Sequence, residues 1–314
     1  MAKMTKHSIG VDISKSHFDA FDLETERAAQ FKNGETGYRD FRKWLDGRNI
    51  TRIVYEATGA YHRPFELALE TNFPLVKVNP FQARRFAEAR GTRAKTDRAD
   101  ARSLAEMGKA FDLEAPPPKS KSQRLLRDLH TARSRMMCER VRLLGRASQL
   151  DVPLLQRQTR ELIAHVERQI AELDAEIAAL IAEDQEETRK LEIIRSIPGI
   201  GMVTASAILA FLPEIGQLER KQVASLAGLA PFTRSSGTWV GKSFIKGGRT
   251  QLRQALYMPA LIASRFNPDL KAKYTALRAA GKPAKVALVA LMRKLIELAN
   301  ALVKSDRKWA PKAC

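Results

Sequence analysis

The chain of 314 residues is long enough for two domains, and its 44% apolar and 28% charged residues are typical of a soluble globular protein. Its formal net charge of +19 attracts polyanions, and because no apolar run approaches membrane-spanning length, the charge favours nucleic acid over a lipid surface. The two cysteines, Cys138 and Cys314, form neither a disulfide framework nor a metal cluster, which indicates a reducing compartment.

The positive charge is concentrated near the C-terminal end. From Lys242 to Cys314, sixteen Lys and Arg residues stand against three acidic residues, so +13 of the +19 lies in the last quarter of the chain. Such an uneven distribution suggests a binding surface. The first residues lack the long apolar segment of a signal peptide, so we expect a cytoplasmic protein, associated with the nucleoid.

The first third of the chain alternates short strands with helices. The apolar patterns predict strands and helices in the order strand 7–13, strand 16–23, strand 27–33, helix 36–45, strand 51–57, helix 58–71, strand 74–79, a helix starting at Pro80, and a helix starting after Thr96. This succession is that of the ribonuclease H-like fold, a mixed sheet with helices on its faces.

Two carboxylates stand three residues apart in the segment Lys95-Thr96-Asp97-Arg98-Ala99-Asp100-Ala101. Thr96 is a suitable helix cap, and residues three apart share one helix face, so Asp97 and Asp100 point the same way. Like charges this close raise each other's pKa unless a cation lies between them. The alternative is an exposed helix whose neighbouring Lys and Arg side chains solvate both acids.

Two further acids end predicted strands. Asp12 ends the first strand and Glu56 the fourth, and ligands of open α/β sheets collect at the carboxyl ends of strands. Together with Asp97 and Asp100 they offer four oxygen ligands suited to Mg²⁺ or Mn²⁺ and to displacement at a phosphodiester. The alternative is four unrelated surface acids. Asp19 and Asp22 are interpreted as ordinary residues of a polar strand face.

The segment after Met107 changes character. Ala115-Pro116-Pro117-Pro118 is a stiff joint, and from Gln123 to about Leu191 apolar residues recur at helical intervals with a break near Pro153. This pattern predicts two long helices in an antiparallel or intermolecular coiled coil. A helical bundle packed on its own domain is the alternative.

A short motif, Ser196-Ile197-Pro198-Gly199-Ile200-Gly201, precedes an apolar helix over 202–212. It has the pattern of a helix-hairpin-helix module, in which glycine lets the backbone approach a phosphate at a helix N-terminus. A tight turn between two packed helices fits the motif equally well.

Residues 227–256 combine a serine pair with a basic, glycine-rich loop. A hydroxyl between Arg234 and Gly237 can act as a nucleophile on a phosphate whose developing charge the nearby cations stabilise, although most Ser-Ser-Gly triplets are simple turns. The candidate nucleic-acid-binding cations of this segment are Arg234, Lys242, Lys246, Arg249 and Arg253. Further phosphate contacts are expected on the tail, from Lys271, Lys273, Arg278, Lys282 and Lys285.

These motifs together resemble a known family. The segments Gly10-Val11-Asp12-Ile13-Ser14-Lys15, Tyr55-Glu56-Ala57-Thr58-Gly59 and Lys95–Ala101 resemble the motifs of the DEDD transposases of bacterial insertion sequences, the IS110 family, whose N-terminal domain is similar to the Holliday-junction resolvase RuvC. The Gly-Leu-x-Pro, Ser-Gly, Lys-x-Gly and Leu-Arg-x-x-Leu elements of residues 228–256 resemble the C-terminal transposase domain of that family. The resemblance extends from Gly10 to about Ala301.

The resemblance implies roles for individual residues. It assigns Asp12, Glu56, Asp97 and Asp100 to the acidic tetrad that binds Mg²⁺ or Mn²⁺. It assigns the catalytic serine, the one before glycine, to Ser236, with the adjacent Ser235 as its rival.

The resemblance also implies an architecture and partners. It predicts an α/β RNase H-like (RuvC-like) domain over residues 1–112, a coiled-coil linker over 113–190 and a mainly α C-terminal transposase domain over 191–314. The implied activity is a transposase that breaks and rejoins target and donor DNA through a covalent phosphoserine. A noncoding bridge RNA guides it, and the active form is a homo-oligomer, a tetramer built as a dimer of dimers.

Two other functions compete with this one. A RuvC-like structure-specific nuclease would use activated water and leave Ser236 idle. A non-enzymatic nucleic-acid scaffold would need only the basic tail and the long helices.

Overall fold

The computed structural model of the chain describes residues 5–57, 59, 61–91, 96–118, 120–236, 239–241 and 243–311. The chain folds into two compact units, Met1–Pro118 and Lys119–Cys314. Within the described residues, no helix combines the length and the apolar character needed to cross a membrane.

The first unit has the predicted succession of strands and helices. Its elements are β1 (Lys6–Ile13), β2 (His17–Asp22), β3 (Arg27–Lys32), α1 (Glu35–Leu45), β4 (Asn49–Glu56), α2 (His62–Leu69), β5 (Leu75–Val78), α3 (Pro80–Ala89) and α4 (Asp97–Ala110). Thr58 and Ala60, where α2 was expected to begin, lie outside the described residues, as does Lys95 before α4. The prediction of an α/β unit with a mixed sheet is confirmed.

The five strands form one sheet in the order β3-β2-β1-β4-β5. β2 runs antiparallel to β1 and β3, whereas β4 runs parallel to β1 and β5. Val11 of β1 pairs with Tyr55 of β4, so the next residues along each strand, Asp12 and Glu56, lie side by side at the same edge of the sheet.

Alternate strand residues point to opposite faces of the sheet, and helices cover both faces. On one face, an aromatic cluster joins β2 to α1 and α2, and its members Phe18, Tyr38, Phe41 and Phe65 are at most 2% exposed. On the other face, valines of β4 and β5 pack against Leu104 and Met107 of α4 and against α3.

The approach of α4 to β1 depends on one residue without a side chain. A Cβ on Gly10 would lie 1.9 Å from the carbonyl oxygen of Ala101 and 2.5 Å from the nitrogen of Ala105. Glycine therefore allows the helix backbone to contact the strand directly. This contact sets the position of the first turn of α4 relative to the end of β1.

The second unit is mainly helical. Its elements are α5 (Lys121–Ala147), α6 (Pro153–Ala182), α7 (Gln185–Arg195), α8 (Met202–Phe211), α9 (Arg220–Leu226), β6 (Pro231–Phe232), β7 (Ser235–Ser236), β8 (Trp239–Val240), β9 (Phe244–Ile245), α10 (Thr250–Ala255), α11 (Tyr257–Phe266), α12 (Pro268–Ala279) and α13 (Ala284–Lys304). β6 pairs with β9, and β7 pairs with β8. The helical character predicted for the C-terminal part is confirmed.

The two long helices α5 and α6 pack antiparallel within one chain. The guanidinium of Arg133 bonds the carboxylate of Asp174 at 2.5 Å, and Arg140 bonds Glu167 at 2.7 Å, so residues further along α5 meet residues earlier on α6. Other residues of this pair, among them Leu126 and Ile177, belong to the same apolar core as α7, α8 and α13. The domain boundaries at residues 112 and 190 stay a prediction.

The motif Ser196–Gly201 forms the turn between α7 and α8. Gly199 has a φ of +101°, and a Cβ there would lie 3.1 Å from the carbonyl oxygen of Pro259 and 3.3 Å from Ala263. The close contact with α11 thus explains why a glycine stands at this position. This agrees with the alternative of a tight turn between two packed helices. The helix-hairpin-helix role in phosphate binding stays a prediction.

Candidate active site and nucleic-acid interface

Asp12 lies at the centre of the acidic site in the first unit. The pKa of this carboxyl is raised from 3.8 to about 6, first by burial and then by the charges of Asp100, Asp97, Glu56 and Asp19. Each of these acids therefore lies close enough to Asp12 for their charges to repel, although the chain separates Asp12 from Asp100 by 88 residues. The structure thus places the other three sequence-predicted acids around Asp12.

The first turn of α4 is held by its cap. The Oγ1 of Thr96 accepts a hydrogen bond from the backbone N–H of Ala99 at 3.2 Å, as expected for a threonine N-cap. Asp97 and Asp100 both lie in this first turn, where the positive end of the helix dipole favours carboxylates. The cap and the contact at Gly10 together place Asp97 and Asp100 near the end of β1.

Two residues that sequence reasoning did not assign to the site lie beside it. Asp19 faces Asp12 directly across the β1–β2 hairpin, and the Nε2 of His17 lies 3.7 Å from carboxylate oxygens of Asp19 and Asp97. His17, Asp19 and Asp97 offer three ligand atoms close enough to share one metal ion. The sequence could have revealed Asp19, because the short turn after β1 places this residue of β2 opposite Asp12.

The donor set of this edge fits a divalent metal. Burial first, and then the charges of the neighbouring acids, raise the pKa of Asp12, and a cation among the acids would offset their repulsion. Carboxylate oxygens are the ligands that Mg²⁺ and Mn²⁺ prefer. The arrangement is therefore suited to binding such an ion together with phosphate oxygens.

Asp22, in contrast, is not on a polar face as interpreted from the sequence. It is fully buried, with its carboxylate 3.0 Å from the Nδ1 of His7 and 3.5 Å from the Nε of Arg48. Burial alone would raise the pKa of Asp22, but hydrogen bonds with His7 and Thr25 hold it below its usual range. The interpretation was wrong because strand alternation does not reveal which polar residue has a buried cationic partner.

The serine pair of the second unit lies in a short hairpin. Ser235 pairs with Val240 and Ser236 with Trp239, and the N–H of Gly241 donates to the carbonyl of Arg234 at 2.7 Å. Both serines are exposed. Gly237, the glycine after the candidate nucleophile, and Lys242 lie outside the described residues.

The predicted cations near the hairpin have different surroundings. The guanidinium of exposed Arg234 lies over the ring of Phe244, 4.8 Å from its centroid. Arg249 bonds both carboxylate oxygens of Glu214 at 2.6 and 2.7 Å, and Arg253 donates to the carbonyl of Gly247 at 2.6 Å. Arg249 and Arg253 thus stabilise the glycine-rich loop, and Lys246 is exposed. Contact of these cations with nucleic acid stays a prediction.

Comparison with known proteins finds two family matches. Residues 9–152 match a family model described as a transposase, of the DEDD type of IS110. Residues 191–275 match the model described as the transposase IS116/IS110/IS902 family. The two matches cover the acidic site and the serine hairpin, respectively.

Full-length relatives are also found. The chain is 31% identical to the pilin gene-inverting protein of Moraxella lacunata and 30% identical to that of Moraxella bovis, with 98% of each chain covered in both cases. A protein of insertion element IS110 from Streptomyces coelicolor is 33% identical over 114 residues, which is 36% of this chain and 28% of that protein.

Proposed function

This chain belongs to the IS110 family of DEDD transposases and is a DNA transposase or recombinase, and we propose that it cuts and rejoins DNA through a covalent bond to Ser236. The observation that carries the proposal is the convergence of Asp12, Glu56, Asp97 and Asp100 on one sheet edge. The order β3-β2-β1-β4-β5 supports an RNase H-like, RuvC-like fold for this unit.

The four acids are the proposed ligands of Mg²⁺ or Mn²⁺. The ion, when bound, offsets negative charge on the phosphate oxygens of the DNA. Asp12 holds the central position, since its carboxyl is affected by each of the other three. His17 and Asp19 are neighbours that can orient Asp97.

Ser236 is the proposed nucleophile. Its Oγ forms a bond to phosphorus while the serine proton passes to a carboxylate. The bond from phosphorus to one sugar oxygen breaks, and the carboxylate returns the proton to that oxygen, which leaves as a hydroxyl. A sugar hydroxyl of the second DNA strand then attacks the phosphoserine and releases the serine. The phosphoester energy is conserved, so exchange needs no ATP. The exposed hairpin position of Ser236 beside Arg234 supports this role.

Partners and assembly complete the proposal. We infer target and donor DNA, a noncoding bridge RNA as guide, and a homo-oligomer, a dimer of dimers held by a coiled coil that involves α5 and α6. The relatives named for inverting a pilin gene support a recombination reaction at defined DNA sites. The net charge of +19 supports nucleic-acid partners, and a cytoplasmic location near the nucleoid follows from them.

A matched pair of serine variants tests the mechanism. The protein is purified with its bound RNA, the RNA is sequenced, and DNA carrying the sites that pair with it is incubated with protein and Mg²⁺. We expect a detergent-stable protein–DNA adduct from wild type and from Ser235→Ala, and none from Ser236→Ala.

The other outcomes separate the alternatives. Unchanged strand cutting by Ser236→Ala would indicate a metal-dependent nuclease that uses water. A wild-type protein that binds DNA and RNA without cutting either would indicate a scaffold.

A further inference from the structure

We propose that the cluster of cations around a cavity in the second unit, distinct from the Ser236 hairpin, binds the phosphodiester backbone of nucleic acid. The inference rests on the proposed function only in taking nucleic acid as the partner. The cavity has a volume of about 240 Å³, well above the roughly 10–15 Å³ that one water molecule needs on the same measure. It is lined by Arg220, Lys273, Ala290, Arg293, Lys294 and Glu297.

A buried carboxylate orients two of the cations. The side chain of Glu297 is 4% exposed, and its two oxygens accept hydrogen bonds from the Nε of Arg220 and the Nε of Arg293, both at 2.7 Å. Burial of a carboxylate is costly without such pairing. Glu297 therefore fixes the two guanidinium groups side by side next to the cavity.

The two guanidinium groups retain donors for a ligand. Each carries five N–H groups, of which the bond to Glu297 uses one. Within the part of the chain that the structure describes, the terminal nitrogens of Arg220 and Arg293 have no other hydrogen-bond partner. Guanidinium groups with free terminal N–H pairs match the paired oxygens of a phosphate.

The cavity has an excess of positive charge. Four cations surround a single carboxylate, which leaves a formal charge of +3, and neither Lys273 nor Lys294 forms an ion pair with any described residue. Cations held this close repel one another, and a bound anion removes the repulsion.

A polymer backbone can reach this site. The side chain of Arg220 is 68% exposed, so the cavity opens at the surface of the unit. Nucleic-acid affinity depends mainly on contacts of this kind between cations and phosphates, which do not read base sequence. The cavity would thus position nucleic acid without contributing to the choice of site.

Two double variants test the inference. Lys273→Ala/Lys294→Ala removes two charges from the cavity wall on α12 and α13. Lys221→Ala/Arg265→Ala removes two charges from exposed cations on α9 and α11 of the same unit that do not line the cavity. Binding of a 30-base-pair DNA duplex and of a 30-nucleotide single-stranded RNA is measured by fluorescence anisotropy at several salt concentrations, and circular dichroism checks that each variant is folded.

The expected result is a change in salt dependence. For the cavity variant, the slope of log affinity against log salt concentration should become shallower by about 1.8 on duplex DNA or about 1.4 on single-stranded RNA, the values for two lost phosphate contacts. A change on one probe alone identifies whether DNA or RNA supplies the phosphates. The control variant should keep the wild-type slope.

Equal changes in both double variants, or no change in the cavity variant, would overturn the inference. The result is independent of the chemistry at Ser236. A cavity variant that binds weakly but still forms the Ser236 adduct at saturating DNA supports the inference, whereas a wild type that forms no adduct refutes only the proposed mechanism.

Discussion

Asp12 shows how a single side chain links the stability of the fold to pH. Its pKa of about 6 in the folded chain lies above the 3.8 of a free carboxyl, so ionisation of Asp12 destabilises the folded state. The penalty is absent below about pH 4, grows as the pH rises from 3.8 to 6, and is complete above that range. A metal ion between the acids would offset it.

The variant Asp12→Asn tests whether ionisation of Asp12 destabilises the folded state. We expect the variant without metal to melt about 2–6 °C above wild type at pH 7.5, and to lose this gain at pH 4. The neutral amide avoids the burial of a charge and removes the repulsion from the neighbouring acids. Calorimetry of the metal-free proteins measures the difference. Asp40→Asn, at a surface position on α1, should change the melting temperature little.

Added Mg²⁺ completes the same test. A ligand that binds only the folded state raises its stability by mass action, so Mg²⁺ should raise the melting temperature of wild type and have a much smaller effect on Asp12→Asn. Equal stabilisation of both proteins would mean that the ion binds elsewhere.

At the scale of secondary-structure elements, the contact between α4 and β1 places two of the four acids. Because a Cβ on Gly10 would overlap the backbone of α4, Gly10→Ala must push the helix outward. We expect a loss of about 1–3 kcal/mol in the free energy of unfolding and a weaker effect of Mg²⁺, as Asp97 and Asp100 move away from Asp12.

Gly145→Ala is the control for this variant. Gly145 lies inside α5 with nothing within 4 Å of an added Cβ, so alanine should stabilise the protein by up to about 1 kcal/mol through its helix propensity. Denaturant unfolding measures both variants. A Gly10→Ala protein as stable as wild type would show that the strand and helix are not in direct contact.

At the scale of the whole molecule, the chain divides after the proline-rich joint. Residues 113–118 contain neither helix nor strand, and Pro116, Pro117 and Pro118 end the first unit. Limited digestion with trypsin should therefore cut first near Lys119 and yield fragments that correspond to the two units, which mass spectrometry identifies. Release of residues 113–190 as a separate piece would support the division into three parts instead.

Much of the fold followed from local pattern. The strand and helix order of the first unit was predictable because apolar residues repeat at periods of two and 3.6, and the DxxD segment was predictable because a cap and a helical spacing are local features. The acids at the ends of β1 and β4 were predictable for the same reason, since strands that end in carboxylates meet at one sheet edge in this topology.

Other features depend on residues that are distant in the chain and could not be predicted from its local pattern. The pairing of Arg249 with Glu214, the burial of Asp22 against His7 and the approach of His17 to Asp97 arise only when helices and strands pack. The cavity around Glu297 joins α9, α12 and α13. Periodicity identifies which face of an element is buried, but packing decides which partner a charged side chain meets. An unpaired buried charge destabilises only the folded state, so the need for a partner arises only in the tertiary structure.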